Sequence, residues 1–300
     1  MRIVIAGPGA LGLFFAGKLC EHNEVTLLHH DKAAADLLAR KGFSVSDEIT
    51  SHHLLECGVS VPQTADLLLI AFKTRAWPEA EEEIRKCDAK TVLTVQNGIG
   101  NMERLAQLFD ERAVCAASVT YGVTRESALS VRIMGHGTLE VGALEDEQRA
   151  KNIVNLLSQC GLNSRHTTDI SRTVWLKAGV NMCINPVACM YDVTNGELLD
   201  IPRITELWTD IAAEVSAAAQ LDDVRLEPSE LVKTAREVAT RTSSNVCSML
   251  QDIRAGRLTE IESLCGEVIR RSKEAGLSTD TCECLYQSIK MLESAEGIRT

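Results

Sequence analysis

A chain of 300 residues exceeds the usual single-domain size, so two domains of roughly 100–200 residues each are the natural starting point. The net charge of −11 excludes nucleic acid and anionic membrane as main partners, because both need a basic face, and any anionic ligand must find positive groups locally. The 11 cysteines lie mostly in apolar runs without paired spacing, the pattern of reduced thiols in a cytoplasmic protein; Cys282 and Cys284 lack Cys-x-x-Cys spacing and a following histidine, so no metal site is expected.

In chain order, residue 1 to about 167 alternates short β-rich runs with helical patterns, as a parallel sheet with crossover helices requires. The strands are predicted at Arg2–Ala6, Glu24–His29, Asp66–Phe72, Thr91–Val95 and Val114–Thr120. Between them the periodicity predicts helices over Ala10–Glu21, Asp31–Lys41, Ala76–Cys87 and Asn101–Phe109. Short strands at Ser130–Met134 and Thr138–Val141 and a helix at Glu145–Cys160 close this part. The apolar start from Ile3 to Leu19 is no secretory signal, since Gly7, Pro8, Gly9 and Gly12 would break its helix, and no later run suggests a membrane span.

Those glycines belong to Gly7-Pro8-Gly9-Ala10-Leu11-Gly12, which follows the buried-strand run Ile3-Val4-Ile5-Ala6 and opens a helix. This is Gly-x-Gly-x-x-Gly in the context that dinucleotide binding requires: a tight turn, backbone close to a pyrophosphate, and a helix amino terminus with free N–H groups. At the end of the second strand an acidic residue would select NAD and a basic one NADP. The sequence has His29, His30, Asp31 and Lys32 there, with Asp31 more readily a helix cap than a ribose ligand, so both cofactors stay open.

After about Asp169 strand-like runs cease, and helices are predicted at Val174–Met190, Thr205–Ala219, Ser229–Thr240, Asn245–Arg254, Thr259–Ala275 and Thr279–Leu292. The expected architecture is an α/β Rossmann-type dinucleotide-binding domain over residues 1–167 and an all-α helical substrate and catalytic domain over 168–300, with a cleft between them. Apolar faces on Thr205–Ala219 and Thr279–Leu292 suit either the core or a homodimer interface.

Lys177, Asn181 and Asn185 recur every four residues in an otherwise apolar helix, so they share one face. A solvated stripe would use Glu, Lys or Gln more naturally than asparagine, which favours a face that presents donors to a ligand. Thr259 and Glu262 have capping-box spacing, placing Glu260 in the first turn of a helix, as a helix-terminal charge or as part of a site.

Several motifs, in order and over nearly the whole chain, resemble ketopantoate reductases. They are Gly7 to Gly12, Phe72-Lys73, Gln96-Asn97-Gly98-Ile99-Gly100, Gly135-His136-Gly137-Thr138, Trp175-Leu176-Lys177 through Asn185-Pro186, Asn195-Gly196-Glu197-Leu198, and Ser248-Met249-Leu250-Gln251-Asp252 with Thr259-Glu260-Ile261. The resemblance implies reduction of the small 2-oxo acid ketopantoate (2-dehydropantoate) to pantoate by NADPH, with NADH as the alternative, on the path to pantothenate and coenzyme A. By the same resemblance Lys177 is the general acid and Glu260 the carboxylate that binds the substrate hydroxyl and orients the lysine. Asn181, Asn185 and Ser248 resemble substrate-binding residues, while Lys73 and Asn97 correspond to positions near the cofactor, with His30 and Lys32 at the 2′-phosphate end. The family usually carries an arginine at that end, and its absence here leaves the NADP preference open. Another 2-oxo acid as substrate, a non-catalytic NAD(P) sensor and a methyltransferase are the rival readings; retention of Lys177 with Glu260 counts against the sensor, and the second domain offers no reason for the methyltransferase.

Overall fold

The computed structural model describes residues 1–295, 297 and 298. The chain divides into two compact units, residues 1–96 with 101–170, and residues 97–100 with 171–300. The first is α/β and the second all helical, as the sequence pattern predicts.

The first unit contains β1 (Arg2–Ala6), β2 (Glu24–Leu28), β3 (Phe43–Ser46), β4 (Thr50–His53), β5 (Glu56–Gly58), β6 (Thr64–Ala65), β7 (Leu67–Ile70), β8 (Asp88–Ala89), β9 (Val92–Thr94), β10 (Val114–Val119), β11 (Gly122–Ser127), β12 (Ser130–Gly135), β13 (Leu139–Ala143) and β14 (Ser164–His166). Its helices are α1 (Ala10–Leu19), α2 (Lys32–Lys41), α3 (Trp77–Ile84), α4 (Asn101–Leu108) and α5 (Glu147–Gln159). An eight-stranded sheet runs in the order β14-β13-β10-β9-β7-β1-β2-β5. Its strands pair in parallel except where β13 runs antiparallel to β10.

Side chains alternate across the central strands: Ile3, Ile5, Leu67 and Leu69 join one apolar cluster and Val4, Ala6, Leu68 and Ile70 another, because successive residues of a strand face opposite sides. Both faces are covered, which explains the unbroken apolar runs. Helix α1 is buried over nearly its whole circumference, from Gly12 to Gly17 and at Leu19. It packs against strands of the eight-stranded sheet and against a second sheet of order β11-β12-β3-β4. A helix apolar all round needs cover on both sides.

The strands of that second sheet between residues 43 and 53, and β11, were not expected from the sequence. Phe43-Ser44-Val45-Ser46 alternates for only four residues and Thr50-Ser51-His52-His53 has no apolar residue, so only the pairing across the sheet shows the strands.

The second unit contains α6 (Ile170–Tyr191), α7 (Ile204–Gln220), α8 (Pro228–Arg241), α9 (Ser248–Arg254), α10 (Cys265–Glu274) and α11 (Asp280–Ala295). One apolar cluster fills it, centred on α6 and α7. Trp208, fully buried, donates its indole N–H to the Cys183 carbonyl at 2.7 Å, next to the turn of α6 that Pro186 interrupts. Gly179 lets α6 approach α8 closely, since a Cβ there would overlap Leu231.

Two expectations fail here. Thr259–Ala275 is not one helix but a 3-10 turn at Ile261–Ser263 followed by α10. Nor does Thr259 form a capping box with Glu262. Its N–H and hydroxyl instead donate to Glu293 of α11, at 2.8 and 2.7 Å, while Glu262 accepts from Tyr286. A buried carboxylate from another helix offers Thr259 a stronger acceptor than an exposed neighbour three residues away. No helix among the described residues is long and apolar enough to cross a membrane.

Candidate active site

In the first unit, β1 delivers the chain to Gly7 at φ +93°, where a Cβ would stand 2.5 Å from the Phe72 backbone. Gly7 N–H donates to the Leu28 carbonyl at 3.0 Å, and Gly9 N–H to the Gly7 carbonyl at 2.8 Å. A Cβ on Gly12 would overlap the Gly7 carbonyl oxygen, whereas one on Gly9 would meet nothing within 4 Å. Gly7 and Gly12 therefore serve the turn itself, and Gly9 leaves open space above the loop.

Helix α1 starts at Ala10 without a side-chain cap, and its first turn bond runs from Leu13 N–H to the Gly9 carbonyl. The N–H groups of Ala10, Leu11 and Gly12 precede that bond, which suits them to a pyrophosphate. Pro8 is buried and Leu11 half-buried. The open cradle at Gly9 and these N–H groups fit a dinucleotide cofactor.

At the end of β2, His29 N–H donates to the Gly58 carbonyl and its Nδ1 accepts from Asp31 N–H at 2.9 Å. His29 stacks on His30 at 4.7 Å, and burial, then the neighbouring imidazole, lowers its pKa. Asp31 caps α2, accepting from Ala34 N–H at 2.7 Å, so its carboxylate already has a structural task. Lys32 is exposed and paired with Asp36 at 3.0 Å. Lys73 stands at the start of the 3-10 turn Thr74–Ala76 without a side-chain capping bond, beyond a Phe72 whose carbonyl accepts from Gln96 at 2.8 Å.

The second unit gathers the other candidates. Lys177, on α6, donates from Nζ to Asn97 Oδ1 at 2.8 Å, and Asn97 donates from Nδ2 to Glu260 Oε2 at 3.2 Å. Thus the Asn97 amide bridges the ammonium and the carboxylate, with its acceptor end to one and its donor end to the other. Burial lowers Lys177 from its ordinary value to about 8, against the opposing pull of Glu260. The sequence leaves that balance open; in the fold, burial wins.

One turn further along α6, Asn181 is half-buried, and Asn185 is 7% exposed. Among the described residues neither amide has a hydrogen-bonding partner, an arrangement that costs stability unless a ligand or water uses it. Cys247 donates from Sγ to the Asn185 carbonyl at 3.8 Å and so seats the start of α9 beside α6. Ser248 follows as the first residue of α9, with its side chain exposed.

Behind Lys177, Trp175 donates its indole N–H to Asp222 at 3.2 Å, and the Arg271 guanidinium, itself bonded to Asp222, lies 5.7 Å from the Trp175 ring. This network braces the turn of α6 that carries the lysine. The bridging position of Asn97 was not legible in the sequence. Its only signal is the Gln96-Asn97-Gly98 motif at a strand end. Lys177, Asn97 and Glu260 together present an ammonium held in one direction near a negative charge, with two amides able to receive a polar ligand further along the same helix.

The model for ketopantoate reductase PanE/ApbA matches residues 3–146, and the model for the C terminal of ketopantoate reductase PanE/ApbA matches residues 169–293. A 2-dehydropantoate 2-reductase of Halobacterium salinarum is 31% identical, covering 98% of this chain and 99% of the relative. One from Archaeoglobus fulgidus is 28% identical over 98% of each. Among solved structures, D-mandelate dehydrogenase with NADH and anilino(oxo)acetate superposes with a TM-score of 0.93 at 25% identity, covering 99% of this chain and 100% of that one. A probable 2-dehydropantoate 2-reductase from Bacillus subtilis gives a TM-score of 0.83 at 24% identity over 97% and 100% of the two chains.

Proposed function

Since the chain belongs to the ketopantoate reductase family, a family of NAD(P)H-dependent oxidoreductases, we propose that it reduces 2-dehydropantoate to pantoate with NADPH. The observation that carries this reading is the line Lys177, Asn97, Glu260, flanked by the unpartnered amides of Asn181 and Asn185.

When bound, the dihydronicotinamide supplies a hydride to the ketone carbon of the substrate. The residues Gly7 to Gly12 would hold the cofactor's pyrophosphate through backbone N–H groups, and Lys73, His30 and Lys32 would hold its outer parts. Lys177 donates the proton that neutralises the alkoxide forming on the ketone oxygen. Proton donation of this kind contributes about 10²–10⁴-fold. With a pKa of about 8, Lys177 is mostly protonated near neutrality yet gives up its proton more readily than an ordinary lysine. Asn97 fixes the ammonium in one direction, and Glu260, by its negative charge, favours its charged form. Asn181, Asn185 and Ser248 donate hydrogen bonds to the carboxylate and hydroxyl oxygens of the substrate.

Steady-state oxidation of NADPH and of NADH, with 2-dehydropantoate beside a panel of small 2-oxo acids, tests this proposal. Turnover confined to 2-dehydropantoate supports it; binding of cofactor with no turnover on 2-dehydropantoate overturns it. A second reading has its own support: the likeness to D-mandelate dehydrogenase bound to NADH favours a 2-oxo acid with another side chain. The absence of an arginine after β2 favours NADH in that reading. The same panel separates the two.

A further inference from the structure

Glu260 stands in a short turn that is fixed at both ends. In front of it, Thr259 is tied to Glu293 of α11 through its N–H and its hydroxyl. Behind it, Ser263 donates to the Glu260 carbonyl twice, from its N–H at 3.1 Å and from its hydroxyl at 3.0 Å. Ser263 also holds the other side of the site, because its carbonyl accepts the N–H of Ile99 at 2.9 Å. The two segments touch so closely that a Cβ on Gly98 would lie 2.5 Å from the Ser263 carbonyl oxygen and 2.6 Å from its Cβ and Oγ. Gly98 takes φ +90°, which a glycine adopts without strain. Ser263 is 3% exposed, so water does not compete for these bonds.

We infer that Ser263 is a positioning residue for the proton donor, locking the Glu260 turn to the Asn97–Gly100 segment so that the Asn97 amide stays between Lys177 and Glu260. The inference rests on the reading of Lys177 as the proton donor. Its physical basis is directional. A bridging amide has one donor end and one acceptor end, and its two partners come from segments far apart in sequence. Any slip between the Asn97 segment and the Glu260 turn lengthens one bond or the other, and hydrogen bonds weaken steeply with misalignment. Ser263 is bonded to both segments at once. Of its three bonds, only the hydroxyl bond depends on the side chain being serine.

The test is an NMR titration of the protein carrying isotope-labelled lysine, with the Lys177 signal assigned by its absence from Lys177→Arg. Ser263→Ala removes the hydroxyl bond and keeps both backbone bonds, so it loosens the Glu260 turn without freeing it; because Glu260 is the charged group that holds Lys177 up against burial, the Lys177 midpoint should move below about 8. Loss of one hydrogen bond should also lower kcat roughly 3–10-fold, with cofactor affinity unchanged. Ser263→Cys, nearly isosteric but a weaker donor, should fall between wild type and Ser263→Ala and guards against a folding defect in the latter. Folded variants with the wild-type Lys177 midpoint would overturn the role of Ser263. Full turnover by Lys177→Ala would instead overturn the proton-donor reading, and the titration would still report whether Ser263 positions the lysine.

Discussion

Lys177 Nζ donates to Asn97 Oδ1 at 2.8 Å, across 80 positions of sequence, and the same amide donates onward to Glu260. The ammonium is therefore aimed by a neutral group and charged with the help of an anionic one. Each side chain along this line should leave its own signature in activity.

Lys177→Ala should lower turnover at least ~100-fold, the lower end of what positioned proton donation contributes, while leaving cofactor affinity nearly intact. Steady-state kinetics with cofactor binding followed by fluorescence would check this. Unchanged turnover would remove Lys177 from the chemistry.

The rate of reduction should fall as pH rises through about 8, because the donor must carry its proton. In the oxidation direction the same group must be unprotonated, so that rate should rise through the same range. Stability should follow its own sign. An unfolded chain keeps the lysine proton up to about 10.4, whereas the folded chain releases it near 8. Between those values the unfolded state binds more protons, so this group's contribution to stability grows with pH across the window and is flat below it. Thermal melts of wild type and Lys177→Met from pH 7 to 10 should diverge in that direction.

Asn97→Ala should lower kcat on the order of 10-fold, since Lys177 loses a directing acceptor. Asn97→Asp keeps the shape but places a second carboxylate beside Glu260 and the ammonium. Its rate should then fall at a higher pH than in wild type, because nearby negative charge favours the protonated lysine. A pH profile that moves the other way would contradict the bridging geometry.

Glycines of the nucleotide loop should separate by function. Gly9→Ala adds a methyl group where nothing lies within 4 Å, so the melting temperature should stay near wild type while NAD(P)H affinity drops. Gly12→Ala drives a methyl group into the Gly7 carbonyl and should destabilise the protein itself. Differential scanning calorimetry beside cofactor titration distinguishes the two; equal behaviour would mean that Gly9 is no approach point for a ligand.

Among the described residues Lys32 is tied only to Asp36, on the surface, where ion pairs are weak. A 2′-phosphate should displace that partner. Lys32→Ala should therefore lower the ratio of NADPH to NADH affinity, and Asp36→Ala should raise it. A ratio unchanged in both variants would exclude Lys32 as the reader of the phosphate.

Much of the architecture was legible in local sequence. Strand β1 falls at its predicted bounds, and α1, α2, α4, α7 and α8 lie within a residue or two of their predicted ends, because apolar periodicity and capping residues act over neighbouring positions. Apart from the strand at Ser130, the second sheet was hidden for the opposite reason. Its strands between residues 43 and 53 carry serine and histidine and are defined by partners as distant as Ser130–Arg132. The break between Ile261–Ser263 and α10 was hidden too, since the stronger partner of Thr259 is Glu293 in another helix.

By itself the sequence determined the turn from Gly7 to Gly12 and the shared face of Lys177, Asn181 and Asn185, because a turn of glycines and a spacing of four residues are local geometry. Only the tertiary structure decided that Asn97 joins Lys177 to Glu260, that Ser263 ties the two segments together, and that burial outweighs the nearby carboxylate at the lysine. Those outcomes depend on which distant segments meet and on how much water they exclude, and neither is fixed until the chain has packed.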